Sequence, residues 1–269
     1  MAEAVPLDAA FLRHPLAHRG LHDRDAGIIE NSLTAVLAAA EAGYGVEIDL
    51  QLSSDGEAMV FHDDALARLT GRSGPVGALT AAELQATPLL GAADPAEGPP
   101  RFADLLEALD GRAPLLVEIK SQPTEAATRA LTRRACAILS GREGAVAVMS
   151  FDPTAVLAAA EVAPEIPRGL VSMDYEAAAA RGDGDVSGLP KAVRTALTEM
   201  AAWQAAGCAF ASFRWQDLPS ARTEALRAAG APVLCWTTRS AEDDAAARRQ
   251  ADNVTFEGYR PPLRTAAPH

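Results

Sequence analysis

Short apolar runs alternate along this chain with longer stretches rich in alanine. The short runs have the length and the β-branched content of buried strands. Eight of them follow one another, at residues 15–20, 44–52, 57–63, 113–120, 145–151, 167–172, 208–213 and 231–238. Alternating strands and helices predict a parallel sheet, and eight strands predict that the sheet closes into a TIM-type (β/α)8 barrel, an α/β fold.

The stretches between the strands place apolar residues on one face at helical spacing. In the first of them, Asn31 can cap a helix at its start and Gly43 can end it. The spacing predicts further helices at residues 102–109, 124–140, 153–161, 190–206 and 217–229. Such helices supply the crossover connections that a parallel barrel needs.

One interval is too long for a single loop and helix. About 50 residues separate His62 from the strand predicted at 113–120, and residues 88–101 among them are rich in proline and glycine. We interpret this interval as a small insertion after the third strand, at about residues 64–101. The insertion would lie within one barrel domain that spans residues 1–269.

The composition narrows the classes of partner. With 36 acidic and 24 basic residues, the chain has a formal net charge of −12. An acidic surface repels polyanions, so nucleic acid and anionic membranes are not expected as partners. An anionic small-molecule substrate would need a local positive site, made by a metal ion or by a few placed cations.

The chain also lacks the usual marks of export. No run of about 18 apolar residues occurs, so no stable membrane insertion is expected. The first 15 residues have no basic head followed by an apolar stretch, as a signal peptide would. Its three cysteines, Cys136, Cys208 and Cys235, are odd in number and widely spaced, so neither a disulfide framework nor a paired metal site is predicted. These features favour a cytoplasmic location, and they carry no signal of oligomeric state.

Reactive residues collect at the ends of the first four predicted strands. In a barrel of this type, functional side chains come from the C-terminal ends of the strands. Here those ends hold two histidines, three carboxylates, an arginine and a lysine. They are His18 and Arg19 on the first strand, Glu47 and Asp49 on the second, His62 on the third, and Glu118 and Lys120 on the fourth.

The spacing of the carboxylates predicts a metal site. Glu47 and Asp49 are two residues apart, so on a strand they point to the same side. Two carboxylates held together repel each other unless a positive charge lies between them. One divalent cation, Mg²⁺ or Ca²⁺, fits, because both prefer oxygen ligands. Glu118 can supply a third ligand, and Lys120 can contact a phosphate oxygen.

Each of these residues also has an ordinary structural explanation. A Glu-x-Asp pair can lie on a solvated face, a histidine after a strand can be structural, and Lys120 can simply pair with Glu118. Their joint position on successive strand ends favours a functional site over these alternatives. Two charges inside an otherwise apolar strand would also be costly to bury without a paired or metal-bound role.

A series of short motifs occurs in a fixed order along the chain. It comprises His-Arg-Gly at 18–20, Glu-Asn at 30–31, Glu-Ile-Asp at 47–49, Asp-Gly at 55–56, His-Asp at 62–63, Thr-Gly at 70–71, Glu-Ile-Lys at 118–120 and Trp-Thr at 236–237. This series resembles the glycerophosphodiester phosphodiesterase family. The resemblance is densest over residues 15–71 and recurs at 102–120 and 231–237.

The resemblance implies a TIM-like barrel with an insertion after the third strand. It also implies an enzyme of lipid metabolism that hydrolyses glycerophosphodiesters to glycerol 3-phosphate and an alcohol with the help of a divalent cation. The roles it implies are metal ligation for Glu47, Asp49 and Glu118, acid/base catalysis for His18 and His62, phosphate contact for Arg19 and Lys120, a place near the metal or substrate for Glu30, and an apolar wall for the glycerol at Trp236. A core aromatic residue is an equally good interpretation of Trp236.

The chain departs from the family pattern at three places. Ile29 stands where a proline often precedes the Glu-Asn pair, Thr238 and Arg239 replace a Val-Asn pair, and residues 251–262 replace the usual closing Thr-Asp-x-Pro. These changes do not touch the predicted catalytic residues. They leave open the alcohol, or head group, of the substrate, as well as which histidine is acid and whether water or the glycerol 2-hydroxyl is the nucleophile.

Two other functions would use the same kind of scaffold. One is a phosphodiesterase that acts on another phospholipid-derived diester, which should show an apolar membrane-binding loop or a secretion signal. The other is a non-catalytic diester-binding protein on the same scaffold, which should lack a histidine or a carboxylate of the set. Neither feature is evident in the sequence.

Overall fold

The computed structural model describes residues 4–263, and its central feature is a closed parallel barrel. The strands are β1 Leu16–His18, β2 Gly45–Leu52, β3 Ala58–Val60, β4 Leu115–Ile119, β5 Val146–Ser150, β6 Arg168–Ser172, β7 Phe210–Arg214, β8 Val233–Thr238 and β9 Asn253–Phe256. All of them except β3 pair in parallel, and β1 closes the barrel because it pairs with both β2 and β9. The predicted TIM-type barrel is confirmed.

Two of the strands differ from the prediction. The third predicted strand, 57–63, contributes β3, which is antiparallel to the end of β2 and lies outside the barrel. Only residues 53–57 connect β2 to β3, too few for a parallel crossover. The eighth barrel strand is instead β9, which the hydrophobic pattern does not predict because the sequence around it is polar. Because β1 pairs only with the first three residues of β2, the edge at Leu50–Leu52 stays open for β3.

Twelve α-helices connect and cover the strands within the described residues. They are α1 Ala10–Arg13, α2 Leu33–Glu41, α3 Ala67–Thr70, α4 Ala81–Gln85, α5 Phe102–Leu109, α6 Glu125–Leu139, α7 Pro153–Val162, α8 Tyr175–Arg181, α9 Lys191–Thr198, α10 Trp203–Ala206, α11 Ala221–Ala228 and α12 Ala241–Ala247. The helix predicted at 190–206 is interrupted at Met200, whose φ of 50° is left-handed. None of the helices in residues 4–263 is both long enough and apolar enough to cross a membrane.

The interior of the barrel is layered along the strands. Leu16, Leu116 and Leu234 belong to one buried apolar cluster inside the barrel. Two residues further along the same strands, and therefore on the same face, lie His18, Glu118 and Trp236. The amino-terminal half of the interior is thus packed with hydrocarbon, while the carboxyl-terminal half presents polar and aromatic groups.

The segment between β3 and β4 has an apolar cluster of its own. Ile29, from the loop between β1 and α2, packs into this cluster. The other members lie on β3, α3 and α4 and on the loops beside them: Met59, Phe61, Leu66, Leu69, Val76, Ala81, Leu84 and Leu89. We propose that residues 64–101 are an insertion within a single domain. The ends of the domain predicted for residues 1–269, at 1–3 and 264–269, lie outside the described residues.

Candidate active site

Three carboxylates meet inside the carboxyl-terminal end of the barrel. Glu47 and Asp49 come from β2 and Glu118 from β4, and the register of the two strands places Asp49 beside Glu118. Glu47 and Asp49 are each 1% exposed, and Glu118 is 7% exposed. One oxygen of each carboxylate lies within 4.8 Å of the others. The alternation of side chains along each strand therefore creates a buried all-oxygen cluster.

Two cations border this cluster. Lys120 Nζ lies 2.9 Å from Glu118 Oε1 and 3.7 Å from Asp49 Oδ1. Arg19 Nε lies 3.3 Å from Asp49 Oδ2, and the Arg19 backbone N–H donates to Glu47 Oε2 at 3.2 Å. Burial and the neighbouring carboxylates act on Lys120 in opposite directions, and the carboxylates prevail, so its pKa is raised. Lys120 consequently stays charged.

The surrounding charges shift the pKa of Glu47 and the pKa of Asp49 in opposite directions. Burial, together with the charges of Asp49 and Glu118, raises the pKa of Glu47 well above its ordinary value. Burial also opposes ionisation of Asp49, but Lys120, His62 and Arg19 outweigh it and lower the pKa of that group. A hard divalent cation among the three oxygens would relieve the repulsion that raises the pKa of Glu47, so the donor set fits such an ion.

The backbone around Arg19 and Asn31 holds two of these groups in place. Both residues have left-handed φ angles, 57° and 58°, and the Asn31 N–H donates to the Arg19 carbonyl at 2.8 Å. The Asn31 Nδ2 donates to Asp49 Oδ2 at 2.9 Å, while its Oδ1 accepts from the Asp49 N–H at 3.2 Å. The helix cap predicted at Asn31 is wrong, since Ser32 caps α2 through the N–H of Ala35. Asn31 supports the carboxylate cluster instead.

His18 is held by a carboxylate from the far end of the chain. Its Nδ1 lies 2.8 Å from Glu257 Oε2, just after β9. The second Glu257 oxygen, Oε1, pairs with Arg239 Nη1 at 2.7 Å. Burial opposes ionisation of Glu257, but the hydrogen bonds from His18 and Arg239 prevail and lower its pKa well below the ordinary range. The contact fixes one ring nitrogen of His18 and leaves Nε2 for other partners.

His62 is held in the same manner by its neighbour in sequence. Its Nδ1 lies 2.7 Å from Asp63 Oδ1, and Arg68 donates to both Asp63 oxygens at 2.6 and 2.9 Å. The same guanidinium donates to both oxygens of Glu30 at 2.7 and 2.8 Å. Glu30 Oε1 in turn accepts from Arg19 Nη1 at 2.6 Å. Arg68 thus connects Asp63, the carboxylate that holds His62, with Glu30, the carboxylate that binds Arg19.

Eight of the nine predicted site residues line one cavity of about 190 Å³. The exception is Glu30, which reaches the cavity only through its bond to Arg19. Trp236 lies on one wall, and its ring meets Phe151 edge-on at a centroid distance of 5.3 Å. The Trp236 Nε1 donates to the Ser212 carbonyl at 3.3 Å. Trp236 is therefore both packed against the core and exposed to the cavity.

The sequence interpretation assigned no function to the residues behind the two histidines. Glu257 directly follows β9 and Asp63 comes three residues after β3, and this position after a strand is a signal in the sequence. Arg68 lies on the four-residue helix α3, and Arg239 follows β8 where the family has a different residue. No spacing pattern connects either arginine with a histidine before the fold is known.

The chain is similar to proteins of one family. A family described as the glycerophosphoryl diester phosphodiesterase family matches residues 18–254. YhdW of Bacillus subtilis is 33% identical over 114 residues, and glycerophosphodiester phosphodiesterase 1 of Rattus norvegicus is 42% identical over 67 residues. These alignments cover 41% and 24% of this chain, but only 46% and 19% of the two relatives. The match thus spans less than half of the length of either relative.

Solved structures share the fold over nearly the whole chain. An Oleispira antarctica phosphodiesterase in complex with the product sn-glycerol-3-phosphate has a TM-score of 0.72 and 23% identity, and the match covers 92% of this chain and 94% of that one. A glycerophosphodiester phosphodiesterase from Thermotoga maritima has a TM-score of 0.65 and 23% identity, with 90% and 92% covered. At this level of identity the likeness shows that the barrel fold is shared.

Proposed function

This chain belongs to the glycerophosphoryl diester phosphodiesterase family, and from that premise we propose that it hydrolyses glycerophosphodiesters to glycerol 3-phosphate and an alcohol. The observation that carries the proposal is that two histidines, three buried carboxylates and two cations converge on one cavity. The presence of glycerol 3-phosphate as product in the Oleispira antarctica structure supports the same reaction.

The phosphodiester would bind where positive charge is concentrated. Glu47, Asp49 and Glu118 would hold one divalent cation, Mg²⁺ or Ca²⁺, which would bind a phosphate oxygen and stabilise the charge that develops on it. Arg19 and Lys120 lie beside the carboxylates and line the same cavity, so their N–H groups are placed to donate to the remaining phosphate oxygens. Glu30 would act through Arg19, whose guanidinium it binds.

His18 and His62 would carry the proton transfers. Each has its Nδ1 bonded to a carboxylate, so the neutral ring donates from Nδ1 and exposes Nε2 as a base. A protonated ring in the same orientation presents an N–H at Nε2 and can act as an acid. One histidine would take the proton of the nucleophile, either water or the glycerol 2-hydroxyl, while the other protonates the departing alcohol.

The apolar wall would receive the glycerol. Trp236 lies in the cavity beside Phe151, Met149 and Val171, while the charged residues line the rest of it. The carbon chain of glycerol can pack on this surface, with the phosphate directed to the cations. Because all members of the acid/base and carboxylate set are present, we favour catalysis over mere binding of a diester.

The test measures the release of glycerol 3-phosphate from glycerophosphocholine by protein treated with chelator and then supplied with Mg²⁺ or Ca²⁺. Activity should be lost with the metal and restored with it. His18→Ala and His62→Ala should each lower kcat by about 10²- to 10⁴-fold, the usual contribution of a general acid or base.

A matched control is His14→Ala. His14 bonds to the Gly43 carbonyl, does not line the cavity, and should be replaceable with little change in kcat. Direct titration of Mg²⁺ or Ca²⁺ by calorimetry, with Glu47→Gln as the defective variant, separates loss of metal from loss of acid/base chemistry. Hydrolysis that survives both chelation and the histidine substitutions would contradict the proposal.

A further inference from the structure

A second and larger cavity opens beside the active-site cavity. It is a cleft of about 670 Å³, and three segments form its walls. Gln51 lies near the end of β2 and Ser54 in the loop after it, Asp64 and Ala78 belong to the segment after β3, and Gln122 follows β4. None of the predicted site residues lines it, so the cleft is separate from the phosphate cavity.

The spacing of residues along β2 shows how the cleft relates to the carboxylates. Glu47, Asp49 and Gln51 follow each other at intervals of two, so all three side chains are on the inward face. Gln51 is 3% exposed, and its Oε1 accepts from Gln122 Nε2 at 2.8 Å. The Gln51 Nε2 donates to the His62 carbonyl at 3.3 Å. Gln51 therefore lies about 6.6 Å beyond Asp49 along β2, measured between their Cα atoms, and the cleft begins at Gln51.

The sizes of the two cavities suggest a division of the substrate. A cavity of about 190 Å³ is smaller than the usual range for small-molecule sites, roughly 300–1,000 Å³. If the phosphate and the glycerol fill it, the alcohol on the other side of the phosphorus must extend outside. Trp236 lies on the β8 wall. The cleft residues Gln51, Asp64 and Gln122 lie on the side of β2 and β4, each two positions after a residue of the smaller cavity: Asp49, His62 and Lys120. The cleft is the adjoining space on the side away from Trp236.

The two cavities also differ in charge. Arg19, Lys120 and Arg239 line the smaller one, whereas no lysine or arginine of the part of the chain that the structure describes lines the cleft. Among the described residues, Asp64 is the one charged residue on the walls of the cleft; it is exposed and accepts from Gln51 Nε2 at 2.9 Å. Within residues 4–263, no lysine, arginine or histidine forms an ion pair with Asp64. An anion and a cation joined by a short linker would match this pair of cavities.

We propose that the cleft is the subsite for the departing alcohol, and that Asp64 makes it prefer a cationic amino alcohol over an uncharged one. This inference rests on the proposed function. It identifies the substrates of choice as zwitterionic glycerophosphodiesters, with the phosphate beside the cations and the ammonium group beside Asp64. Asp64 would act as a specificity residue, because its carboxylate contacts the head group and takes no part in the bond that breaks.

The test compares two substrates that differ in the charge of the alcohol, glycerophosphocholine and glycerophosphoglycerol. Asp64→Asn removes the charge but keeps an oxygen that accepts from Gln51. For glycerophosphocholine, KM should rise about fivefold, the upper range for an exposed ion pair, with kcat within twofold of the unsubstituted protein. For glycerophosphoglycerol, both constants should stay within twofold.

A second variant tests the space of the cleft without the charge. Ala78 is exposed on the cleft wall, so Ala78→Trp should fill part of the cleft and raise KM for both of these esters. The same substitution should leave KM unchanged for the methyl ester of glycerol 3-phosphate, because methanol is too small to extend into the cleft. Asp94→Asn is the matched control for charge, since Asp94 is exposed in the same segment but lines neither cavity.

The outcomes separate the subsite from the reaction. Equal losses on both head groups in Asp64→Asn would mean that Asp64 acts through the fold around His62, and would overturn the subsite. Unchanged KM for glycerophosphocholine, or equal effects of Ala78→Trp on all three esters, would also overturn it. Failure of the unsubstituted protein to hydrolyse any of the three esters would instead overturn the proposed function, and the subsite with it.

Discussion

The two histidines are held by the same arrangement of groups, but different regions of the molecule build it. In the His18 arm, made of His18, Glu257 and Arg239, the carboxylate lies 239 positions from the histidine in sequence. In the His62 arm, made of His62, Asp63 and Arg68, all three residues fall within seven consecutive positions. Each arm has Nδ1 on a carboxylate and an arginine on the same carboxylate.

The difference lies in how far each arm extends. The Arg239 side chain is 61% exposed, and within residues 4–263 its one ion pair is with Glu257, which reaches His18 because the barrel closes between β1 and β9. Arg68 is 42% exposed and makes four hydrogen bonds, two to Asp63 and two to Glu30. The two arms therefore have the same local geometry, but a substitution of the arginine affects more residues in the His62 arm than in the His18 arm. A change at Arg68 reaches two of the predicted site residues, His62 and Arg19. A change at Arg239 reaches one of them, His18, because the other histidine beside Glu257, His22, does not line the cavity.

The largest effect is expected where the arms are alike. Asp63→Asn and Glu257→Gln should each lower kcat by about 100-fold or more, because the amide cannot stabilise a charged imidazolium and can present its NH₂ to Nδ1. Steady-state kinetics on glycerophosphocholine measure the change, and circular dichroism checks that each variant is folded. A variant that retains near-normal kcat in one arm would show that this carboxylate does not orient its histidine, and would end the proposed equivalence of the arms.

An intermediate effect should separate the arms. Arg68→Gln should lower kcat/KM by about 30-fold, with changes in both kcat and KM, because it loosens both His62 and Arg19, the proposed phosphate contact. Arg239→Gln should lower kcat/KM only about threefold, since solvent already screens most of its charge. Arg68→Lys is the conservative comparison: one ammonium cannot bind two carboxylates bidentately, so it should recover little.

Equal losses in the two glutamine variants would contradict this comparison. So would a loss in Arg68→Gln confined to kcat, because it would mean that Glu30 holds Arg19 without help. Arg72→Gln serves as a control in the same segment, as Arg72 contacts the Thr87 side chain and neither histidine arm.

The sequence predicts the barrel better than it predicts these arms. Buried parallel strands are apolar runs, and the crossover helices have apolar residues at helical spacing. Both can therefore be predicted from short stretches of the sequence. Strand β9 is an exception, because Asn253 and Thr255 are buried polar residues in it; Asn253 Nδ2 donates to two carbonyls near α1. Strand β3 is another, because its antiparallel pairing depends on the short connection at 53–57 and on the free edge of β2.

The candidate site shows the same limit. His18 and the three carboxylates can be predicted because the carboxyl ends of parallel strands meet at one end of a barrel. His62 lines the same cavity, but it follows the antiparallel strand β3 and not a third parallel strand. Glu257 cannot be assigned to His18 in this way, because their contact exists only after the barrel closes. Asn31 looks like a helix cap in sequence, since asparagine suits that position, yet its side chain bonds to Asp49. Supporting residues depend on three-dimensional packing that periodicity does not encode.

The smallest expected effect concerns stability rather than catalysis, and it separates the arms by pH. Burial opposes ionisation of Asp63 and Glu30, but hydrogen bonds from Arg68 outweigh it and lower the pKa of each to about 2. A lowered pKa adds stability at pH values above the ordinary pKa near 4, and this stability is lost as the pH falls through about 2.

Arg68→Gln should therefore lower the free energy of unfolding by about 1–2 kcal/mol at pH 7, as loss of a partly buried network would. Urea unfolding at pH 7, 4 and 3 should show this cost shrinking as the pH falls, because both carboxyls begin to bind protons in the unfolded chain. A cost independent of pH would mean that Arg68 stabilises the fold by packing and not through its two carboxylates.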